Sequence, residues 1–449
     1  MADTNTSSRE GGIEAPTRYP LKWQEAEFWD EQALHKELER AYDICHGCRR
    51  CVSLCEAFPT LFDLVDESET MEVDGVAKDD FMKVVDQCYL CDLCYQTKCP
   101  YVPPHPWELD FPHLMLRAKA QDYRKNKAPV SRRLLSATTT IGKVATLPVV
   151  VQLANKVSNS KTGRKMMDKT LGIHPDALVP KYVRPTLEKR AANLEQANPA
   201  EARQVGRTRG KVAIFGTCYG NYNRPELGED LIRILQHNGI VTHVVQSSVC
   251  CGMPKLELGD LASVEKLKQS NIPILAKLVD EGWDILTPIP SCTLMFKQEL
   301  PLMFPEDADV AKVREHSFDP FEYLSLRQKG GAMNTEFPVT LGKIAYHAPC
   351  HQRVQNIGPK TKEILNLIPD TEIKMIERCS GHDGTYGVRK ETYDLSRKIA
   401  RPVVNRIKKV EPDFVSSDCP LAGDHLEHGL KSGQPAQHPI SLLRKAYGI

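Results

Sequence analysis

Fifteen cysteines stand in a chain of 449 residues, and their spacing decides what they can do. Eight fall within residues 45–99 as two runs: Cys45-x2-Cys48-x2-Cys51-x3-Cys55, and Cys88-x2-Cys91-x2-Cys94-x4-Cys99 followed by Pro100. Three cysteines at i, i+3 and i+6 wrap a tight loop whose thiolates can each meet a different iron of one cubane, while the chain carries the fourth away to a second cluster. That crossing assigns Cys45, Cys48, Cys51 and Cys99 to one [4Fe-4S] cluster, and Cys88, Cys91, Cys94 and Cys55 to another. Glu56 stands where proline usually follows the fourth cysteine, and four residues precede Cys99; neither departure removes a ligand. Zinc also takes Cys-x2-Cys pairs, but a third cysteine at the same spacing, twice over, has no role in a tetrahedral site.

The other seven cysteines belong to an internal repeat. The stretch ending at Cys218, Gly-Lys-Val-Ala-Ile-Phe-Gly-Thr-Cys, returns as Gly-Lys-Ile-Ala-Tyr-His-Ala-Pro-Cys ending at Cys350. Cys250-Cys251-Gly252 is matched by Cys379-Ser380-Gly381, and Cys292 by Cys419. Each station follows a short apolar run of strand character, at residues 212–215, 241–245 and 285–287, then 344–346, 373–376 and 414–416. Helical patterns lie between them, which argues for parallel sheets whose ligands gather at the carboxyl ends of the strands. The cysteines of each unit are therefore expected to converge. Gly252 permits the backbone angle that turns two adjacent thiols toward one site, so Cys218, Cys250, Cys251 and Cys292 could hold a third cluster. The second unit offers Cys350, Cys379 and Cys419, with His351 and His382 nearby in sequence. Burial as small apolar side chains is the plain alternative for such cysteines, and the repetition argues against it.

The elements that position these residues follow from the same reading. Residues 24–42 and 79–85 have helical patterning and lead into the two N-terminal runs, and residues 56–87 are too many for a compact ferredoxin of hairpins. The expected fold class is α+β multidomain: an α-helical ferredoxin domain over 1–110, a basic and apolar helical linker over 111–208, and a duplicated α/β domain over 209–449 with units 209–335 and 336–449. In the linker, residues 114–133 carry seven basic side chains, Arg117, Lys119, Arg124, Lys125, Lys127, Arg132 and Arg133, against Asp122 alone. The apolar stretch 134–154 is interrupted by Lys143 and Pro148 and fails the length test for a membrane span. A basic segment beside an apolar one suits the surface of an anionic membrane or a solvated docking helix.

The quoted cysteine stations resemble the CCG-type domains of the heterodisulfide reductase family, joined to a helical ferredoxin domain. Within that family they are similar to the iron-sulfur subunits that serve anaerobic glycerol-3-phosphate, lactate and glycolate oxidation. The resemblance implies an electron-transfer subunit, relaying electrons between a flavoprotein dehydrogenase of glycerol-3-phosphate or 2-hydroxy-acid type and a quinone or other acceptor. The family's CCG unit ends in Cys-x2-Cys, whereas Cys292 is followed by Thr293, Leu294 and Met295, and Cys419 by Pro420, Leu421 and Ala422. Those departures, with Ser380 in place of a cysteine, argue against non-cubane heterodisulfide chemistry.

Composition narrows the rest. Basic and acidic side chains balance at 59 to 58, which gives no electrostatic footprint for nucleic acid. Hydrophobic residues make 41% and charged ones 26%, ordinary for a soluble protein. The first 25 residues hold Arg9, Glu14, Arg18 and Lys22 without an apolar stretch, so no secretory signal is expected and the protein is placed in the cytoplasm, at most peripheral on the inner membrane face. A reducing compartment turns the cysteines toward metal rather than disulfides. No Gly-x-Gly-x-x-Gly opens a helix after a strand, so flavin or nicotinamide is expected on a partner. Three other roles share these residues: donation to a peroxide-reducing di-iron protein, reduction of a disulfide, or zinc binding as a docking platform.

Overall fold

The computed structural model describes residues 16–194 and 202–449; Arg9 and Glu14 of the N-terminal charge pattern, and part of the linker, lie outside them. The chain divides into two compact units, one running to Lys127 and including Glu257–Asp260, the other comprising Ala128–Leu256 and Leu261–Ile449.

The described part of the first unit is built from helices. Asp30 caps Glu31–Cys48 by accepting from the Ala33 N–H at 2.6 Å, and Leu34, Leu38, Ala41 and Tyr42 form its buried stripe. Arg49 ends the helix in a left-handed conformation, leaving Cys45 and Cys48 in the last turn. Phe81–Gln87 likewise ends at Cys88. Asp110 caps Phe111–Asn126 by accepting from the His113 N–H at 3.1 Å. Aromatic rings lock these helices together: Tyr42 meets Phe81 at 5.0 Å and Phe58 meets Phe111 at 4.8 Å, centroid to centroid.

The second unit contains two small parallel sheets. Strands β1 (Lys211–Ile214), β2 (Val241–Val244), β3 (Asp284–Leu286) and β4 (Ser317–Phe318) lie in the order β2-β1-β3-β4. Strands β5 (Gly342–His347), β6 (Thr371–Ile376) and β7 (Phe414–Ser417) lie in the order β6-β5-β7. Register runs Ile214 opposite Val244 and Leu286 in the first sheet, and His347 opposite Ile376 and Ser417 in the second. In each, the first strand of the repeat is central and its successors lie on opposite sides, which opens a crevice at the carboxyl ends of the strands. The period-2 alternation of β5 sends Ile344 and Tyr346 into a core shared with Val212, Ile214, Leu231 and Leu443, and Ala345 into a second core with Val403, Ile407 and Leu426. The six strands expected from sequence are present within two residues of their expected ends; the two-residue β4 is additional.

Helices Val130–Leu135, Thr138–Ala145, Val150–Asn159 and Lys161–Leu171 precede the sheets. Thr138–Ala145 packs closely on Cys218–Tyr222, where a Cβ at Gly142 would fall 2.2 Å from the Tyr222 ring. Val130, Leu134, Val144, Leu147, Val149 and Leu153 of this segment are exposed. Among the described residues no helix is long and apolar enough to cross a membrane.

Candidate metal centres

In the first unit the two cysteine runs share a turn. The residue after the second cysteine of each run, Arg49 or Asp92, is left-handed, with φ of +52° and +58°. This conformation is uncommon outside glycine, and it curls each loop so that its thiols face inward. Cys45, Cys48, Cys51 and Cys99 line one small cavity. Burial and the neighbouring Cys99, Cys51 and Cys48 push the Cys45 thiol well up, and burial beside Cys99 and Cys48 pushes Cys51 up to about 12. Burial also raises Cys99, opposed by backbone N–H groups of Tyr101 and Val102 that donate to its sulfur. Cys94 is raised by burial and by the proximity of Cys88, Cys51 and Cys55. Thus Cys99 of the second run joins the first-run thiols, and Cys51 and Cys55 of the first run, with Cys88 of the second, lie near Cys94. Cys91 lies between Cys88 and Cys94 on the same loop.

Arg18 fixes that loop. Its guanidinium bridges Asp92 on the loop, at 3.1 Å from Nη2 to Oδ1, and the helix cap Asp110, at 2.8 and 3.0 Å, while lying 4.7 Å from the Tyr95 ring. The Arg18–Asp92 pair is almost fully buried. Arg18 is a positioning residue that the spacing of the cysteines could not reveal.

In the first repeat, Cys218 begins the helix Cys218–Tyr222 after β1, Cys250 and Cys251 lie between β2 and the helix Met253–Glu257, and Cys292 lies in Pro290–Leu294 after β3. The four converge: Cys250 hydrogen-bonds with Cys218 and Cys251, and Cys251 with Cys292. Gly252, at φ +111°, makes the turn that allows adjacent thiols to share one site. Two thiols donating to it pull Cys250 well down, whereas donation and burial push Cys218 and Cys251 up. Asn271 clamps the loop, accepting from the Val249 N–H at 3.1 Å and donating to the Val249 and Cys250 carbonyls at 3.2 and 3.0 Å.

In the second repeat, Cys350 opens Cys350–Arg353 after β5, Cys379 follows β6, and Cys419 caps Pro420–Leu430 after β7. Burial raises all the thiols for which a shift is resolved, Cys350 well up and Cys419 to about 12, with the Asp383 carboxylate adding to both. His351 shares a 2.8 Å hydrogen bond with Ser291 Oγ. His382 stands with its ring 5.8 Å from that of His425, and burial pushes it down to about 4.

A cavity of about 930 Å³ joins the two repeats, walled by Leu135, Ile141 and Leu178 of the preceding segment, Cys218 of the first repeat, and His382 and Leu421 of the second. Its size suits a small-molecule site. The Arg224 and Asp424 side chains, 3.4 Å apart, pair at its wall. Sequence reasoning missed both the cavity and Asp383.

Thiols raised by burial and by one another are what a cationic centre relieves, since a coordinated thiol is deprotonated; the donor chemistry therefore fits iron-sulfur clusters. Among the described residues, no group of three or more His, Cys, Asp or Glu side chains is spaced to hold a single metal ion.

Residues 212–297 and 344–425 match the family described as Cysteine-rich domain, CCG. The chain carries a duplicated CCG domain. It is 28% identical over 345 residues to an anaerobic glycerol-3-phosphate dehydrogenase subunit of Escherichia coli K12, covering 76% of this chain and 83% of that one. It is 28% identical over 233 residues to a fumarate reductase (CoM/CoB) subunit of Methanothermobacter marburgensis, covering 51% of this chain and 44% of that protein. "Lactate utilization protein A" of Bacillus pumilus is 24% identical over 222 residues, 46% of this chain and 87% of the relative. Each CCG match begins at the first strand of its sheet and includes all of that half's cysteine stations.

Proposed function

We propose that this chain is the iron-sulfur electron-transfer subunit of an oxidoreductase, relaying electrons between a flavoprotein dehydrogenase of glycerol-3-phosphate or 2-hydroxy-acid type and a quinone or other acceptor. The observation that carries it is the gathering of thiols into separate groups within one chain. Cys45, Cys48, Cys51 and Cys99, and Cys88, Cys91, Cys94 and Cys55, would hold two [4Fe-4S] clusters in an N-terminal helical ferredoxin domain, residues 1–110. A linker over 111–208 leads to the CCG domain over 209–449, where Cys218, Cys250, Cys251 and Cys292 would hold a third. Such clusters, when bound, supply one-electron redox steps whose potentials depend on hydrogen bonds to sulfur and on exposure.

The chain's own residues set those conditions. Arg18 holds the second cysteine loop, Tyr101 and Val102 donate to Cys99, and Asn271 holds the Cys250 loop. The apolar walls of the cavity beside Cys218 suit an acceptor such as a quinone. The exposed apolar residues at 130–153, with exposed Arg133 and Lys143 among them, suit a peripheral position on the cytoplasmic face of a membrane. The names of the relatives support the subunit role and the class of dehydrogenase.

Iron, zinc and acid-labile sulfide per chain in anaerobically purified protein, with electron paramagnetic resonance of the dithionite-reduced form, test this reading. About eight irons account for the N-terminal pair and about twelve add the first CCG half. Zinc without iron would overturn the electron-transfer role.

A further inference from the structure

The second CCG half has three cysteine stations where the first has four thiols, and its extra donor is absent from the cysteine pattern. Three other side chains compete for that place. His351 is turned to Ser291 Oγ. The His382 ring lines the large cavity and lies near His425, and its Nε2 is buried without a hydrogen-bond partner. Ser380, in the position of Cys251, accepts from the His382 N–H at 3.4 Å. None of these contacts reaches a thiol.

Asp383 does. Its Oδ1 accepts from Cys350 Sγ at 3.7 Å and its Oδ2 from Cys379 Sγ at 3.5 Å, so the two carboxylate oxygens face different cysteines. Cys419, at the end of the neighbouring strand, feels the same charge. Among the described residues no lysine or arginine is paired with Asp383, which leaves a carboxylate among thiols without a side-chain cation. The sulfurs are meanwhile prepared for negative charge: the Gly381 N–H donates to Cys379 Sγ at 3.3 Å, the His351 N–H to Cys350, and the Leu421 and Ala422 N–H groups to Cys419. Backbone donors to sulfur are a feature of iron-sulfur ligation.

We infer that Asp383 is the fourth donor of the second half, completing with Cys350, Cys379 and Cys419 a three-sulfur, one-oxygen site for an iron-sulfur cluster. The inference rests on the reading of the CCG domain as cluster-binding. A cluster suits these residues better than one ion, because each of its irons takes a separate ligand and the donors come from the ends of three different strands. On binding, the three thiols lose their protons and form iron-sulfur bonds, and the carboxylate forms one iron-oxygen bond. In the first half the matching turn residue is Pro254, so the carboxylate belongs to the half that lacks the paired cysteine.

The test compares the anaerobically purified full-length protein with D383A, D383N, D383C and the double variant C350A/C379A, reading iron, zinc and sulfide per chain and the paramagnetic resonance of oxidised and reduced samples. D383A and D383N are expected to lose about one iron per chain and to gain a three-iron signal when oxidised, D383C to restore wild-type iron, and the double variant to lose about four irons. Circular dichroism and the D383C variant separate ligand loss from misfolding. Wild-type iron and spectra in both D383A and D383N, with iron lost from C350A/C379A, would exclude Asp383 while leaving a cluster in this half. Wild-type iron in C350A/C379A would instead remove the underlying reading of the second half, and stoichiometric zinc lost from that variant would replace the cluster with a zinc site.

Discussion

The two CCG halves place their stations on the same scaffold yet finish them differently. In the first, Cys250, Cys251 and Cys292 are buried and the thiols hydrogen-bond to one another. In the second, Cys350, Cys379 and Cys419 are each only partly covered, and two of them face a carboxylate. The strand order fixes where a donor can stand; the turn after the second strand fixes which donor it is. A glycine with positive φ ends the pair in both halves, Gly252 at +111° and Gly381 at +75°, so the turn is kept while its chemistry changes. Duplication thus places two groups of donors on one scaffold with different exposure, and exposure with hydrogen bonding is what would tune a cluster bound there.

The sharpest break in that comparison comes from exchanging the residues that differ. C251S is expected to remove the first-half cluster, a loss of about four irons per chain, because a neutral hydroxyl is a poor substitute for thiolate toward soft metal. The reciprocal S380C is expected to leave iron unchanged, since the second half already has its fourth donor. Iron and sulfide analysis reads both. A gain of about four irons in S380C would mean that the second half is incomplete as built.

A smaller effect comes from the polar residue that holds each cysteine loop. Asn271, on the helix Leu261–Asp280, makes three hydrogen bonds to the backbone of Val249 and Cys250 and is buried. N271A leaves buried backbone groups unmatched and is expected to cost about 3 kcal/mol in urea unfolding of the second unit, with first-half iron lost more readily to chelator. Unchanged stability and chelation would show that the loop holds itself.

Much of this organisation was legible in sequence. Each apolar run before a cysteine became a strand, because three to five consecutive residues, mostly β-branched or aliphatic, suit a short strand of a parallel sheet and are too few for a helix. The expectation that the stations of a repeat converge followed from parallel topology, and Cys218, Cys250, Cys251 and Cys292 do converge. Asp383 was not legible, because a single acid on a turn has no counterpart in the first half to mark it, and its value lies in two contacts that only the folded turn creates. The cavity was hidden for a different reason: Leu135, Cys218 and Leu421 lie far apart in the chain, and no local pattern announces that they share a wall. Arg18 was noted for its charge alone, although its partners Asp92 and Asp110 make it part of the cysteine loop's support.

The second half has its own clamp, and it is weaker. Ser396, on Tyr393–Val410, donates to the Gly381 carbonyl at 2.7 Å and meets His425 Nε2 at 3.1 Å. One hydroxyl therefore does in this half what three amide bonds do in the other. S396A removes a single backbone contact and is expected to cost about 1 kcal/mol, near one third of the effect of N271A, in the same unfolding experiment. The glycine it holds donates its N–H to Cys379, so the variant is also expected to loosen that sulfur and raise the rate of iron loss from the second half alone. Equal costs for S396A and N271A would remove the asymmetry of the clamps and leave the donor residues themselves as the difference between the halves.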